Sequence, residues 1–484
     1  MLSSLLAPTF RHRANEVALE WACQEYTFGD LDRRANRLAR ELGARGLVRG
    51  DRLAIWLPNR VEYIDLFLAC TRLGVIVVPI NVLYRDRERA HILADATPRA
   101  VVVSDAETWD GASEAWAVDE LTASASRRPA DTVAVDLEPA TPAALIYTSG
   151  TTGPAKGAII THGNLAANAT TLVEAWQFTA SDRLFLALPL FHVHGLGNGV
   201  HCWLASGCRM RLLERFDHTS AAASLDDFRT TVFFGVPTMY VRLLDVDPGS
   251  ARVIGARMRL CVSGSAPLPA HVLEAFEQRF GQRILERYGM TETLMTLGNP
   301  YDGERRAGTV GVPFAGVSVR IVDGRGADVA DEQEGELLVR SPMLCAGYWD
   351  RPEATASSME GGWFHTGDIA ERARDGYITL RGRRSDVVIS GGFNIYPREI
   401  EELLVEHASV AEAAVVGAPD PVRGEVPVAF VVARPGAAPD SDALIAFCRD
   451  HLASFKAPRR VVVVERLPRT ALGKIQKHEL KAQL

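Results

Sequence analysis

Strand-sized apolar runs alternate with helix-sized amphipathic ones through most of this chain, and that alternation restricts it to a layered α/β architecture. "DRLAIWLPN" reads as a buried strand, "VEYIDLFLACTRLG" as an apolar-faced helix and "VIVVPIN" as a second strand. Upstream, "YTFGDLDRRANRLARELGARGL" opens with a Thr27–Asp30 turn. It then places Leu31, Ala35, Leu38 and Leu42 on one helical face and stops at Gly43 and Gly46. Strands joined through a helix return in the same direction, so parallel pairing is expected. The stretch from Trp109 to Pro142, rich in Ala, Asp, Ser and Pro, reads as surface connection.

The alternation resumes with "RLFLALPLF", "TTVFFGVPT" and "RLCVSGSAPL". Polar residues and glycines gather at the C-terminal ends of these runs, where parallel sheets place ligands. From Gly308 to Val339 the pattern shifts to short β segments, "GVSVRIVDG" and "GELLVRS", which argue for a β-rich subdomain. After a charged interruption at Arg383–Asp386 come a helix ("PREIEELLVEH"), two strands ("AAVVGAP", "VPVAFVVA"), a helix ("SDALIAFCRDHL") and a strand ("RRVVVVERL"). That set is large enough for a small α+β domain. With 484 residues the chain is too long for one core. The expected fold is multidomain α/β: an N-terminal domain over 1–384 and a C-terminal one over 385–484.

A formal net charge of −7 supplies no basic footprint for nucleic acid or acidic lipid. No apolar run is long enough to span a bilayer; "GVIVVPI" is strand-sized. The start, "MLSSLLAPTFRHR", lacks a basic stretch ahead of its apolar one and is a poor signal peptide. The seven cysteines are scattered, with no Cys-x-x-Cys pair, which fits reduced thiols in a cytoplasmic protein.

Five segments carry the chemistry. "YTSGTTGPAKG" (Tyr147–Gly157) is rich in Gly, Ser and Thr ahead of Lys156. Converging backbone N–H groups and hydroxyls suit phosphate, although the spacing is not that of the ordinary P-loop. "ILERYGMTETLM" (Ile284–Met295) offers a tyrosine to stack on a base and hard oxygens at Thr291 and Glu292 that suit Mg²⁺. The same residues also read as a helix start with Thr291 as N-cap. "GWFHTGDIA" (Gly362–Ala370) holds Asp368 after a glycine, where a carboxylate can accept from two ribose hydroxyls or simply make a turn. "GRRSDVVISGGFNIYPREIE" (Gly382–Glu401) leads two arginines into a Gly-Gly turn and a Pro-started helix. "LPRTALGKIQKHEL" (Leu467–Leu480) presents Lys474 after a glycine; alone it reads as a solvated lysine.

In this order the five segments closely resemble the adenylate-forming superfamily of acyl-CoA synthetases, nonribosomal adenylation domains and luciferases. The resemblance covers nearly the whole chain. It implies a large N-terminal domain of two α/β subdomains plus a β-barrel-like one, and a small mobile C-terminal domain. It also implies a two-step reaction, in which MgATP activates a carboxylate as acyl-adenylate and the CoA thiol then displaces AMP.

By matching motifs, Thr148, Ser149, Thr151, Thr152 and Lys156 would surround the β- and γ-phosphates. Gly264, Ser265 and Ala266 would line the adenine pocket, with Arg287, Tyr288, Gly289 and Met290 along the nucleotide and Tyr288 stacked on the base. Thr291 would touch the α-phosphate. Glu292, with Thr152, would hold Mg²⁺. Asp368 and Arg383 would bind the ribose. His192, in "LPLFHVHG", would shape the acyl pocket, and for His194 a packing role and a functional one stand level. Lys474 would reach the α-phosphate and carboxylate oxygens during adenylation. Rotation of the C-terminal domain would then withdraw it and present Ser390, Gly391, Gly392 and Phe393 to CoA. The family's hinge position is usually Asp or Lys; here Ser385 occupies it. "PRTALGK" (Pro468–Lys474) also matches a spacing at which related synthetases are acetylated, implying a lysine acetyltransferase as partner and loss of the Lys474 charge.

Many fatty-acyl and aryl relatives carry Gly or Ala before the Tyr-Gly pair, where this chain has Arg287. A guanidinium in an acyl pocket is costly beside a greasy chain and suits a second carboxylate. Together with Arg242 in "VPTMYVRLL" and the run "NPYDGERRAGTVG", it makes the chain resemble malonyl-CoA synthetases in particular. In that group these arginines recognise the distal carboxylate of malonate or methylmalonate. Pairing of Arg287 with Glu286 or another acid is the structural alternative. Medium-chain or aromatic acyl-CoA ligases, carrier-protein-loading adenylation enzymes and a regulatory nucleotide-binding protein remain the functional alternatives.

Overall fold

The computed structural model describes every residue except 108, 110, 112, 134, 149–154, 391–392, 422, 453, 455 and 471–472, and the side chains of Phe393 and Asn394. The chain forms two compact units. The first comprises Met1–Ala307, Gly311–Ser318 and Val339–Phe364; the second comprises Gly308–Val310, Val319–Leu338 and His365–Leu484. The expected 384/385 boundary therefore falls inside the second unit.

Two sheets build the first unit. A six-stranded sheet runs in the order Ala115–Ala117, Ala100–Val103, Arg52–Trp56, Ile76–Pro79, Pro142–Thr148, Lys156–Thr161. Its strands are parallel except the last, which turns back on its neighbour. A nine-stranded sheet has a parallel centre: Leu285–Tyr288, Leu260–Ser263, Val232–Gly235, Arg183–Leu186, Arg209–Leu212, Val17–Trp21. Antiparallel strands flank that centre at both edges. The runs Val232–Gly235 and Leu260–Ser263 are buried throughout, as strands covered on both faces must be.

Helix Phe28–Ala44 forms as expected. Thr27 accepts from the Asp30 amide while the Asp30 carboxylate accepts from the Thr27 amide, and Leu31, Ala35, Leu38 and Leu42 are buried. The segment expected to be surface connection is more ordered than that. It contains strand Ala115–Ala117 and helix Val118–Ser126, which buries Val118, Leu121 and Ala125. Its spacing is helical, but the small Ala and Ser residues dilute the apolar signal.

Two histidines in the first unit sit in the core with neutral rings. His162 and His201 are fully buried; the His201 ring lies 5.2 Å from Phe67. Burial pushes both down to about 4. An unfolded chain would protonate them near 6.5. They therefore contribute stability that is complete above that value and lost as pH falls from 6.5 toward 4, up to about 3 kcal/mol each. The thermal midpoint of the parent should drop between pH 7 and pH 5, and His162→Gln/His201→Phe should show a flatter profile. An equally steep profile in that variant would assign the acid sensitivity elsewhere.

The second unit contains most of strands Ser318–Val322, Glu334–Arg340 and Trp363–Arg372 and all of Ile378–Arg383, in sheet order with the last paired to the third. It also contains an α+β body. There Val410–Asp420, Gly424–Ala433 and Arg460–Val464 pair in order, with helices Pro397–Glu406 and Ser441–His451 supplying Ile400, Leu404, Leu444 and Cys448 to the core.

Candidate active site

Thr148 ends one strand and Lys156 begins the next, and the two residues are register partners. Residues 149–154 of the chain between them, with Ser149, Thr151 and Thr152, lie outside the described residues. Thr148 Oγ1 donates to Glu292 Oε1 at 3.3 Å. Tyr348 Oη donates to the same oxygen at 3.0 Å. Lys156 Nζ stands 5.3 Å from the Tyr348 ring centre, a cation–π distance. Burial and then the Glu292 charge hold the Tyr348 phenol well above its ordinary value, so it stays a donor.

Tyr348 reaches this position because residues 346–349 run along strand Lys156–Thr161. Ala346 donates to Ile159, Ile159 to Gly347 and Trp349 to Gly157. The Cys345 amide donates to the Glu292 carbonyl at 2.7 Å, which fixes the backbone of the acid as well. Nothing in "CAGYWD" marks Tyr348 in the sequence; a contact across 56 residues brings it in. Residues 291–293 form a turn rather than the helix start that Thr291 also allowed.

A second cluster forms where three parallel strands end, after Gly235, Ser263 and Tyr288. Gly264 leaves room for Arg287: a Cβ there would come within 2.3 Å of the guanidinium carbon. Ser265 has a left-handed backbone (φ +69°), unusual for a non-glycine residue. Its hydroxyl lies 3.2 Å from His194 Nδ1. His194 begins a π-helix, His194–Val200, a rare form that often marks functional sites. Its ring stacks on Phe234 with centroids 6.1 Å apart, and its amide donates to His192 Nδ1 at 3.2 Å. Burial, then the Arg287 charge, then His192 depress the His194 imidazole well below its ordinary value, so it is neutral. The level alternatives for His194 thus meet at one place: it is packed, and it is packed beside the candidate specificity residue.

Arg287 is 4% exposed. Among the described residues its Nε and Nη2 have no hydrogen-bond partner, and no carboxylate forms an ion pair with it. Burial pulls its pKa down to about 9, which still leaves it charged at neutral pH. The alternative partner, Glu286, is engaged elsewhere and accepts from the Leu268 amide at 2.9 Å. Adjacent residues of a strand face opposite sides, which separates the two. The buried Tyr240 donates to the Val262 carbonyl at 2.8 Å, and the Arg287 charge acts on its hydroxyl. Arg242, in the last turn of helix Pro237–Leu243, is exposed. The two arginines of the expected pair therefore differ sharply: one is dehydrated, the other is in water. Tyr288 and Met290 are half-buried, and Tyr288 Oη lies 3.8 Å from Met290 Sδ.

In the second unit, Asp368 and Arg383 are cross-strand partners. Arg383 Nε binds Asp368 Oδ1 at 2.7 Å, and the Asp368 amide donates to Thr366 Oγ1 at 3.0 Å. Gly367 before it has φ +70°. Ser385 is exposed in a single 3₁₀ turn, Arg384–Asp386, and Arg384 binds Glu336 at 2.8 Å. Ser390 is buried, Gly391 and Gly392 lie outside the described residues, and Phe393 begins a short strand. Lys474 is exposed, with its amide 3.2 Å from Thr470 Oγ1 and its carbonyl accepting from the Thr470 amide. Among the described residues no cluster of three His, Cys, Asp or Glu could hold a metal by itself. None of the described helices is long and apolar enough to cross a membrane.

Residues 7–349 match the family described as AMP-binding enzyme, and residues 399–474 match the AMP-binding enzyme C-terminal domain. The fold is similar to ATP-bound MatB from Rhodopseudomonas palustris, with a TM-score of 0.95 and 38% identity over 100% of this chain and 99% of that one. In sequence it is 37% identical to a feruloyl-CoA synthase from Amycolatopsis, covering 94% of this chain and 93% of that one. It is 34% identical to a malonate–CoA ligase from Arabidopsis thaliana, covering 91% and 79%. The chain therefore belongs to the AMP-binding, adenylate-forming enzymes, and within them it is an acyl-CoA ligase.

Proposed function

We propose that the enzyme adenylates a small dicarboxylate, malonate or methylmalonate, and transfers the acyl group to CoA, giving malonyl-CoA or its methyl homologue, AMP and pyrophosphate. The observation that carries this is Arg287, a buried guanidinium with no counter-charge among the described residues, at the foot of the His194–Ser265 cluster. Keeping an unpaired ion out of water costs several kcal/mol, on the order of the penalty of a broken buried pair. A ligand carboxylate would offset that cost, and a plain alkyl or aryl group would not. The similarity to a malonate–CoA ligase points the same way, while the similarity to a feruloyl-CoA synthase makes an aromatic acid the competing substrate.

In the first step the substrate carboxylate attacks the α-phosphorus of ATP and pyrophosphate leaves. Thr148, Lys156 and the loop between them would steady the leaving pyrophosphate. Thr291 and Lys474 would neutralise charge at the α-phosphate, and Asp368 with Arg383 would take the ribose. Gly264, Ser265, Ala266 and Tyr288 to Met290 would flank the nucleotide. Mg²⁺ fits this donor set, because it keeps most of its shell as water and phosphate oxygen and needs only one or two protein oxygens. Glu292, with Thr152 as its expected companion, would hold the ion, which when bound neutralises phosphate charge. In the second step the CoA thiol attacks the acyl carbonyl and AMP leaves. Rotation about Ser385, between residues 1–384 and 385–484, would exchange Lys474 for the loop at Ser390–Phe393.

Pyrophosphate release with malonate, methylmalonate, acetate, octanoate and benzoate tests the substrate. Malonate or methylmalonate should give the highest kcat/KM. A higher value for octanoate or benzoate would remove the dicarboxylate assignment. Replacing CoA by a carrier-protein phosphopantetheine in the second half-reaction separates the carrier-loading alternative.

A further inference from the structure

Helix Asp86–Ala96 carries no residue of the five sequence segments, yet it touches both flanks of the phosphate loop. His91 Nε2 lies 2.7 Å from the carbonyl oxygen of Ala155, the residue before Lys156. A carbonyl can only accept, so Nε2 carries the proton. One turn later, Asp95 Oδ2 accepts from Tyr147 Oη at 2.7 Å, and Tyr147 precedes Thr148. Positions i and i+4 share a helix face, so one rigid surface meets both ends of the loop. The His91 and Tyr147 rings meet edge to face at 6.4 Å.

Two further features tighten this arrangement. Arg351 ion-pairs with Asp95, whose side chain is only 8% exposed, and so fixes its second oxygen. Arg351 follows the segment whose Tyr348 binds Glu292. Gly157 opposes Tyr147 in register, and a Cβ there would lie 3.1 Å from the ring. The glycine after Lys156 thus lets the tyrosine ring lie across the strand and reach Asp95.

We infer that His91 and Asp95 are positioning residues for nucleotide binding: they hold the Ala155 carbonyl and the Tyr147 hydroxyl, and through them the backbone that presents Lys156 and Thr148 to the triphosphate. They touch no substrate themselves. The inference rests on the phosphate-binding role proposed above for that loop.

The test compares His91→Ala, His91→Gln, Tyr147→Phe and Lys156→Ala in the full chain, with MgATP dissociation constants from calorimetry and KM values for ATP, malonate and CoA. His91→Ala should raise the ATP KM and dissociation constant about tenfold, the scale of one lost hydrogen bond, with the KM values for malonate and CoA within about twofold. Gln places an N–H near the same carbonyl and should restore ATP binding to within about threefold of the parent. Tyr147→Phe should weaken ATP binding in the same direction. Unchanged ATP binding in His91→Ala overturns the inference, as does an equal rise in all three KM values or a Gln variant no better than Ala. Should His91→Ala fail to fold, His91→Gln and Tyr147→Phe still decide: a Tyr147→Phe enzyme with parental ATP binding overturns it. Lys156→Ala separates the two levels. Weakened ATP binding there alongside a parental His91→Ala rejects only the positioning role; no effect in Lys156→Ala rejects the phosphate role of the loop itself.

Discussion

Lys474→Ala should lower the rate of acyl-adenylate formation by about 10²- to 10³-fold, the usual cost of removing one charge that stabilises a transition state, while MgATP binding stays close to that of the parent. The expectation follows from chemistry. The attacking carboxylate and the α-phosphate are both anionic, and the transition state concentrates their charge, so a cation placed there counts more in the transition state than in the ground state. Lys474 is an exposed residue in a turn closed by Thr470. The second half-reaction, started from isolated acyl-adenylate and CoA, should be nearly unaffected. Lys156→Ala should be milder, because Lys156 would steady the leaving pyrophosphate and shares that task with Thr148 and the loop hydroxyls. Pyrophosphate exchange for the first step and thioester formation for the second measure the two separately. Comparable losses in both half-reactions for Lys474→Ala would contradict its assignment to adenylation.

Arg287→Met should reduce kcat/KM for malonate by about 10²-fold or more, the scale of deleting one partner of a dehydrated charge pair. Acetate, which has no second carboxylate, should lose little. The same change should also raise the thermal midpoint of the ligand-free protein by about 2 °C or more, because a buried unpaired guanidinium is replaced by an apolar side chain of similar length. These two effects have opposite sign only if Arg287 is kept for its ligand at the expense of the fold. A structural arginine would give loss of activity together with loss of stability. Arg242 is exposed, so its removal should change the malonate KM without the gain in stability.

The strand and helix alternation predicted the parallel sheets because buried strands and amphipathic helices differ in period and length. Helix Phe28–Ala44 shows this at single-residue level, with its cap and its four core positions all readable. Helix Val118–Ser126 shows the limit: three apolar contacts among Ala, Ser and Asp leave too little pattern to separate a short buried helix from a surface turn. The π-helix at His194 was also invisible, since periodicity cannot distinguish a widened turn from an ordinary one.

The same division runs through the site. The linear sequence determined the family and the strand ends at which a nucleotide would sit, because loops that approach phosphate and base need glycines, hydroxyls and a lysine close together along the chain. It also raised the question of Arg287, since a charge among apolar strand residues stands out. Whether that charge had a partner was a matter of three-dimensional packing. Strand alternation turned Glu286 away, Gly264 made room for the guanidinium, and Tyr240 and His194 closed around it without supplying an anion. Tyr348 on Glu292 and His91 on Ala155 were likewise decided only by tertiary structure. Both contacts join segments more than 50 residues apart, and a hydrogen bond at that separation leaves no mark on local composition or spacing.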